Sequence, residues 1–331
     1  MKKFFYIEVE SIERKIMYND SRMYNYNLIL IKRRRFIDKF VSFFTNNEYP
    51  FRKTIIKLLT RRTYKDIKLL IPKSENNIYV FIISARIYER YGESLISMLK
   101  KEYPKTKVVC YFTDLISTFK TPFVKYKSSF DKIFTFDMKE AQKYDMIFCQ
   151  EPFEYCNLEK KKKKYDITFV GKAKDRYDDI IHIYENLIER GYICDFHIVG
   201  VNKKEQKYQG NIEYNRYMDF KEILSHVRES KCILEIMQDG AYSPTTRHSE
   251  AMLYEANLLT NCKAFGAQQY PFEENIQYFD RVENIDYEFI NRNNRCDKKK
   301  YIDYFSINHF IQTIDEGIGT DYKEKTNEYN K

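Results

Sequence analysis

The chain has 331 residues, 43% of them hydrophobic and 17% aromatic, so it can form two domains with proper cores and cannot be disordered throughout. It contains no run of eighteen apolar residues, which excludes a membrane-spanning helix, and the opening MKKFFYIEVE reaches Glu8 and Glu10 too early for a secretory signal. The positive net charge of +9 comes from residues 1–70, which contain 17 Lys and Arg but only 7 Asp and Glu. The remaining residues contain 40 Lys and Arg and 41 Asp and Glu.

Basic clusters mark this first part of the chain, at residues 32–35 (KRRR) and at Arg61 and Arg62. Such a surface suits anionic lipid, a phosphate-bearing acceptor or nucleic acid, and it is also the ordinary solvated face of a Lys-rich protein. Because no nucleic-acid recognition motif accompanies it, we expect no nucleic-acid partner. Peripheral contact with an anionic membrane is an expectation that rests on charge alone.

The seven cysteines are odd in number and include no CxxC pair. Most of them, such as Cys110 and Cys232, lie within apolar runs and are expected in the core, which suits a reducing cytoplasm. Neither the cysteines nor the five histidines, all in the second half of the chain, have zinc-ligand spacing. We therefore expect a cytoplasmic protein without a bound metal.

Strands and helices alternate in the first half. Apolar runs predict strands at residues 26–31, 78–83, 107–112, 132–136 and 146–149, and helical patterns occupy residues 52–70, a stretch from Gly92 to before Pro104, and residues 139–144. A loop with Arg86, Glu89 and Arg90 is expected before Gly92. This order predicts a parallel sheet with helices on both faces.

Five consecutive lysines, Lys160 to Lys164, predict the boundary between a domain of residues 1–160 and a domain of residues 161–331. Beyond them the alternation restarts. Strands are predicted at residues 166–170, 194–199 and 232–237, helices at 179–189, 220–229 and 307–314, an irregular connector at 212–217, a turn at 261–266 and a frayed tail from Thr320.

The stretch SKCILEIMQDGAYSPTTRHSEAMLYEANLLTN, residues 230–261, is the most informative part of the chain. It combines a strand, a polar loop at residues 238–246 and a helical pattern that runs through Leu258. A helix that starts after such a loop presents backbone N–H groups and a positive dipole end, which suits a phosphate. Ligands of such folds lie at the carboxyl ends of the strands.

Arg247 would add a bidentate phosphate contact at this helix start, and Glu250 would accept bonds from ribose hydroxyls. The alternative is structural. In that interpretation Thr246 caps the helix, Glu250 completes a capping box and Arg247 faces solvent.

A second loop, GKAKDR, follows the strand predicted at residues 166–170. Gly171 permits close backbone approach, while Lys172 and Arg176 offer positive charge to a diphosphate. If this loop and the central loop with Ser243 and Thr245 converge on one anion, they would hold a nucleotide sugar. No GxxxxGK[ST] or GxGxxG motif occurs, so neither a Walker nucleotidase nor a dinucleotide enzyme is supported.

The second half resembles the nucleotide-sugar-binding domain of bacterial GT-B glycosyltransferases of capsule, lipopolysaccharide and spore-surface glycan synthesis. The matching segments are YDITFVGKAKDR, CDFHIVG, GNIEYNRYMDFKEIL, the ILEIMQDGAYSPTTRHSEAMLYEANLLTN block, YPFEENIQYFD and YFSINHFI. The resemblance covers most of residues 165–312 and is looser over residues 75–155. It implies an α/β GT-B fold: two Rossmann-like α/β/α domains with an interdomain cleft.

The resemblance also implies site residues. Positions that match the family's diphosphate, sugar and ribose contacts are Gly171, Lys172, Arg176, Ser243, Thr245, Thr246, Arg247 and Glu250, and Tyr214 lies in the connector that holds the base. Retaining members carry a Glu-x7-Glu pair, whereas Tyr242 stands eight residues before Glu250 here. The first carboxylate is therefore missing or replaced by Asp239.

The implied activity is hexosyl or other glycosyl transfer from a nucleotide-diphosphate sugar to a surface polysaccharide or lipid-linked glycan, without a cofactor or metal. An inverting course needs a general base from the first half, where Asp114 at a strand end is best placed, followed by Glu89 or Glu93. The alternative for Asp114 is a helix cap or turn residue. A retaining course needs no such base and is favoured. The alternatives are a GT-B-like protein that binds a nucleotide or glycan without turnover and a nucleic-acid-binding protein.

Overall fold

The computed structural model of the chain describes residues 1–18, 25–32, 52–155, 161–267, 275–293 and 298–319. Two compact units are present: residues 1–154 together with the segment from Ile307 onward, and Tyr155–Ser306. The predicted domain boundary after residue 160 stays a prediction, because residues 156–160 lie outside the described residues. The same holds for Arg33 to Arg35 of the basic cluster, for Cys156 and Cys296, and for the tail from Thr320.

The first unit is built on a parallel six-stranded sheet in the order β2-β1-β3-β4-β5-β6. Its strands are β1 (Lys2–Val9), β2 (Tyr26–Ile31), β3 (Ile78–Ser84), β4 (Thr106–Phe112), β5 (Lys132–Thr135) and β6 (Ile147–Phe148). Its helices are α1 (Ile12–Met17), α2 (Arg52–Leu70), α3 (Ala85–Tyr91), α4 (Glu93–Glu102), α5 (Phe123–Ser129) and α6 (Met138–Tyr144).

The strand β1 is absent from the sequence prediction, which considers the opening residues only as a secretory signal. Glu8 is fully buried in the sheet, yet its carboxylate is satisfied. One oxygen accepts from the Val9 nitrogen at 2.7 Å and the Ser84 hydroxyl at 2.8 Å, and the other accepts from the Tyr6 hydroxyl at 3.0 Å. A charged side chain with this many partners is compatible with a buried strand.

The loop predicted around Arg86 and Arg90 is helix α3. The Ser84 side chain caps it by accepting from the Ile87 nitrogen. Gly92 then adopts φ 61°, a left-handed conformation that glycine takes without steric cost, and separates α3 from α4. The predicted helix from Gly92 to before Pro104 corresponds to α4.

The second unit has its own parallel six-stranded sheet, in the order β12-β11-β10-β7-β8-β9. Its strands are β7 (Tyr165–Lys172), β8 (Cys194–Val199), β9 (Glu213–Tyr214), β10 (Ser230–Glu235), β11 (Asn257–Thr260) and β12 (Ile276–Tyr278). Its helices are α7 (Tyr177–Glu189), α8 (Phe220–Glu229), α9 (Thr246–Leu253), α10 (Lys263–Gly266) and α11 (Lys298–Phe305). The predicted turn at residues 261–266 is therefore largely α10.

The helical pattern predicted through Leu258 ends five residues earlier, at Leu253. Tyr254 caps α9 and Glu255 takes the left-handed conformation with φ 56°, so the helix cannot continue. Leu258 lies instead in β11, paired with Ile233 of β10. Cys110 and Cys232 are buried in the two cores, as their apolar surroundings predicted.

The last described helix, α12 (Ile307–Gly319), groups with the first unit, whereas the sequence placed it in the second domain. Phe310 packs edge-on against Tyr6 and Tyr111, with ring centroids 6.0 and 5.1 Å away. Gly317 fits close to Phe134, where an added Cβ would come within 2.7 Å of the ring. Among the described helices, none is long and apolar enough to cross a membrane.

Candidate functional site

The two candidate loops of the second unit leave neighbouring parallel strands, β7 and β10, at their carboxyl ends. Gly171 and Lys172 are the last residues of β7, and Arg176 follows in a short 3-10 turn at Lys174–Arg176 just before α7. An added Cβ at Gly171 would lie 3.1 Å from the Phe169 ring and 3.6 Å from the Arg176 guanidinium. This glycine therefore leaves room for the Phe169 ring, while the guanidinium lies at ordinary van der Waals distance.

Arg176 joins the ends of the two strands. Its Nη2 donates to the Lys172 carbonyl at 3.0 Å, and its Nη1 donates to the Ile236 carbonyl just beyond β10. Burial lowers the pKa of the Arg176 guanidinium, and the positive charge of Arg247 lowers it further. The carboxylates of Asp175 and Glu235 act in the opposite direction and raise it, but the pKa remains below its ordinary value. An anion bound here would offset both effects.

The helix α9 begins as the central stretch predicted, but Thr245 and not Thr246 is its cap. The Thr245 hydroxyl accepts from the Arg247 nitrogen at 3.2 Å. Glu250 pairs with Arg247, and the backbone nitrogen of the cap residue Thr245 donates to Glu235. The structure thus differs from the structural interpretation in the cap residue and in the partner of Arg247, and the role of these residues toward a ligand stays a prediction.

Arg247 and Glu250 form an ion pair one helical turn apart. The Glu250 side chain is fully buried and that of Arg247 is 18% exposed. The second terminal nitrogen of Arg247 donates to the Val170 carbonyl at 3.0 Å, which brings the guanidinium from α9 to the end of β7. Arg176 and Arg247 thus meet at the same strand end, bonded to carbonyl groups two residues apart.

Glu235, at the end of β10, holds the central loop and was not predicted as a functional residue. It is 3% exposed. Its Oε1 accepts from the nitrogen and the hydroxyl of Thr245, and its Oε2 accepts from the Thr260 hydroxyl at 2.7 Å. The only signal in the sequence is an acidic residue inside an apolar run, which is common at strand ends.

The remaining loop residues differ in their accessibility. Ser243 is fully buried, Thr246 is half-buried and Thr245 is exposed. Asp239, the candidate replacement for the missing carboxylate, is exposed, and its backbone nitrogen donates to Asp175 at 2.8 Å. This contact links the loop after β10 to the loop after β7.

The connector before α8 contains the short strand β9, where Tyr214 pairs with Ile198. The Tyr214 hydroxyl donates to the Lys207 carbonyl at 2.7 Å and lies 3.1 Å from the Tyr177 hydroxyl. Asn215 follows with φ 58°, and its amide oxygen accepts from Gly200 at 2.8 Å. The polar end of Tyr214 is thus engaged in the fold, and the backbone after it is held against the end of β8.

His248, next to Arg247 in the chain, is fully buried. Its ring lies between Phe265 and Phe305 in edge-on contact, with centroids 5.0 and 5.2 Å away. Burial lowers the pKa of His248 to about 3, so the ring is neutral at physiological pH.

Asp114, the candidate base, belongs to the first unit and follows β4. It forms an ion pair with Arg86 of α3, both side chains being more than a third exposed. It caps no helix, since the 3-10 turn that follows begins after Leu115, whose side chain makes no capping bond. The site role of Asp114 remains a prediction.

No protein-family model matches the chain, and no curated protein matches it. Among solved structures, the chain is similar to an alpha-glucosyltransferase in complex with UDP and a 13-mer DNA containing a central A:G mismatch. The TM-score is 0.56 and the sequence identity is 12%, and the match covers 96% of this chain and 100% of that chain. The chain is also similar to a mutant of TarM from S. aureus in complex with fondaparinux, alpha-GlcNAc-glycerol and UDP, with a TM-score of 0.49 and 12% identity over 78% and 58%. The chain has the GT-B fold, with two Rossmann-like units.

Proposed function

We propose that the chain is a glycosyltransferase that moves a sugar from a nucleotide-diphosphate donor to a surface polysaccharide or lipid-linked glycan acceptor, with retention at the transferred carbon. The observation that carries this proposal is the meeting of Arg176 and Arg247 at the carboxyl end of β7. Two guanidiniums with donors aimed at one strand end suit the two phosphates of such a donor.

The distribution of charge supports a dianionic ligand. Arg247 is balanced by Glu250, whereas the Arg176 guanidinium is bonded to carbonyl groups and lies close enough to Arg247 to be affected by its charge. Lys172 is exposed beside them and adds a third cation. The start of α9 contributes its dipole at the same edge of the sheet.

The buried position of Glu250 modifies the expected ribose contact. With its carboxylate held by Arg247, Glu250 acts in this structure as a positioning residue for the guanidinium. A ribose contact would require the pair to rearrange when the donor binds. Tyr214 and the backbone after it remain the candidates for holding the base.

The direct test is a thermal-shift screen with UDP, GDP, CMP and their sugars, followed by an assay for release of the free nucleotide in the presence of glycan acceptors. UDP sugars come first, because the similar alpha-glucosyltransferase was solved with UDP. A ligand at 100 times its dissociation constant adds about 2.7 kcal/mol of stability. We expect one nucleotide diphosphate to stabilise the wild type. Lys172 lies on the exposed rim of the site, and Lys172→Ala should bind that nucleotide more weakly.

The second candidate function is donor binding without transfer, favoured by Tyr242 at the position of the first carboxylate of the Glu-x7-Glu pair. Stabilisation by a nucleotide sugar with neither hydrolysis nor transfer across a panel of acceptors would support this candidate. Replacing Asp239, the other acidic residue in the loop, separates the two. Asp239→Asn should impair transfer if Asp239 substitutes for the missing carboxylate. If Asp239 has no such role, the variant should bind and transfer like the wild type.

Peripheral contact with an anionic membrane surface is part of the proposal for the acceptor side. Arg61 and Arg62 are exposed on α2 and supply the cations that such a contact requires. Sedimentation with vesicles should show binding that needs anionic lipid and weakens in Arg61→Ala/Arg62→Ala. Equal sedimentation with neutral vesicles would contradict it.

A further inference from the structure

A buried cluster of three metal-ligating side chains lies in the second unit, outside the candidate donor site. Asp195 and His197 are two residues apart on β8, so they face the same side of the sheet, and His226 approaches from α8. Asp195 Oδ1 lies 2.7 Å from His197 Nε2, and Asp195 Oδ2 lies 2.7 Å from His226 Nδ1. One ligand atom from each residue falls within 4.8 Å of the other two.

The cluster is largely enclosed but has an access side. Asp195 and His197 are each 8% exposed, whereas the His226 side chain is 20% exposed. The two imidazole rings cross at 61° with centroids 4.5 Å apart, so their nitrogens converge on the carboxylate and the ring faces do not stack. An ion would therefore enter past His226 and meet two rings and one carboxylate.

The surrounding groups hold the ligands in place. His197 Nδ1 lies 2.8 Å from Glu213 Oε2, a charge contact without hydrogen-bond geometry. The Thr168 hydroxyl lies 3.0 Å from the Asp195 carbonyl and 3.3 Å from its Oδ2. Arg216 in turn holds Glu213 at 3.1 Å. The Asp195 carboxylate is thus held by Thr168, and Glu213 lies beside the ring of His197.

We propose that Asp195, His197 and His226 bind one divalent transition-metal ion, with zinc the first candidate, and that a water molecule completes the coordination. Two imidazoles and a carboxylate are a ligand set that zinc and its neighbours in the first transition series accept, and that magnesium and calcium do not favour. Ligand atoms around a tetrahedral zinc stand roughly 3.4 Å apart, given bonds of about 2.1 Å. Metal binding would require the two 2.7 Å contacts of Asp195 to open to that spacing.

The ion has a structural role. It would join β8 to α8 and, through Glu213, to the connector that contains Tyr214, the next residue in the chain. Binding would order this connector without touching the donor phosphates. The proposal does not depend on the proposed function, because it concerns ligands that the donor site does not use.

The test uses the full chain with any affinity tag removed, stripped with a chelator and then incubated with ZnCl2 or CoCl2. We expect about one equivalent of metal to stay bound after gel filtration, a visible cobalt absorption band typical of a four- or five-coordinate nitrogen and oxygen site, and a higher melting temperature with zinc. His226→Gln should lose at least 90% of the bound metal. His182→Gln, at an exposed position on α7, is the matched control and should keep it.

Less than a tenth of an equivalent in the wild type, with no change in melting temperature, would overturn the proposal and leave a cluster held by hydrogen bonds alone. Equal metal content in wild type and His226→Gln would overturn it too, since the metal would then lie elsewhere. If His226→Gln does not fold, Asp195→Asn tests the same ligand set. The wild-type titration is decisive in either case, and it needs neither nucleotide nor glycan.

Discussion

The Glu235 carboxylate accepts two hydrogen bonds from Thr245, one from the backbone nitrogen at 3.0 Å and one from the hydroxyl at 2.6 Å. Thr245 in turn caps α9 and accepts from the nitrogen of Arg247. The end of β10 thereby fixes where α9 begins and where the Arg247 guanidinium lies. Glu235 is a positioning residue for the candidate phosphate site.

Replacing Glu235 should therefore cost stability and donor binding together. In Glu235→Ala the backbone nitrogen of Thr245 and the buried Thr260 hydroxyl lose their acceptor, and the loss at a buried group costs about 1–3 kcal/mol. Thermal melting and nucleotide titration of the same preparations check this. Glu283→Ala, at an exposed position of the same unit, is the control and should melt like the wild type. A Glu235→Ala protein with unchanged melting temperature would contradict the account.

The Arg247–Glu250 pair should behave as a coupled unit in a double-mutant cycle. Removal of Arg247 alone leaves a buried charge on Glu250 and should cost about 3 kcal/mol, whereas removal of both residues should cost less than the sum by at least about 1 kcal/mol. The control cycle uses Arg292 and Asp286, an exposed pair with side chains 63% and 43% accessible. Its coupling should stay below about 1 kcal/mol. Additive effects at Arg247 and Glu250 would show that the pair does not form in solution.

The buried position of His248 predicts that the free energy of unfolding falls in mild acid. Burial lowers its pKa to about 3, and the unfolded chain binds a proton near the ordinary value of about 6.5, so the folded state loses stability as the pH falls from about 6.5 towards 3. At pH 5 the loss is about 2 kcal/mol relative to pH 8. His248→Phe should flatten that part of the melting-temperature profile. If the two profiles run parallel between pH 5 and pH 8, the ring is not buried as described.

Replacing Asp114 tests whether the reaction retains or inverts the configuration at the transferred carbon. Under the retaining course proposed, Asp114→Asn should lower transfer by less than about tenfold, because no general base is required, and nucleotide binding should not change. A base contributes about 100-fold or more when it is needed. NMR of the product's anomeric signal gives the second readout. An inverted product together with a 100-fold loss would identify Asp114 as the base and refute retention.

The fold was largely predictable from the sequence, because buried parallel strands are continuous apolar runs and the helices between them are amphipathic. The prediction missed features that depend on residues distant in the chain. β1 was missed because the buried Glu8 carboxylate accepts a hydrogen bond from Ser84, 76 positions away in the chain. α12 was assigned to the second domain because nothing local reveals that Phe310 packs against Tyr6 and Tyr111.

The sequence predicts Arg176, Arg247 and Glu250 as site residues, and their role toward a ligand stays a prediction. Arg176 and Arg247 follow directly from strand ends and a helix start. The burial of Glu250 and the role of Glu235 depend on side-chain packing that spacing does not encode. The Asp195, His197 and His226 cluster escaped the search for ligand spacing, because two ligands lie on a strand and the third is on a helix 29 residues later.

The measurement that tests the central claim most directly is calorimetric titration of a nucleoside diphosphate and the matching monophosphate into wild type and Arg176→Gln. If Arg176 and Arg247 hold the diphosphate, the wild type should bind the diphosphate at least tenfold more tightly than the monophosphate, and Arg176→Gln should lose most of that difference while keeping monophosphate affinity. Equal affinity for both nucleotides in the wild type, unchanged in the variant, would contradict a diphosphate site at the end of β7.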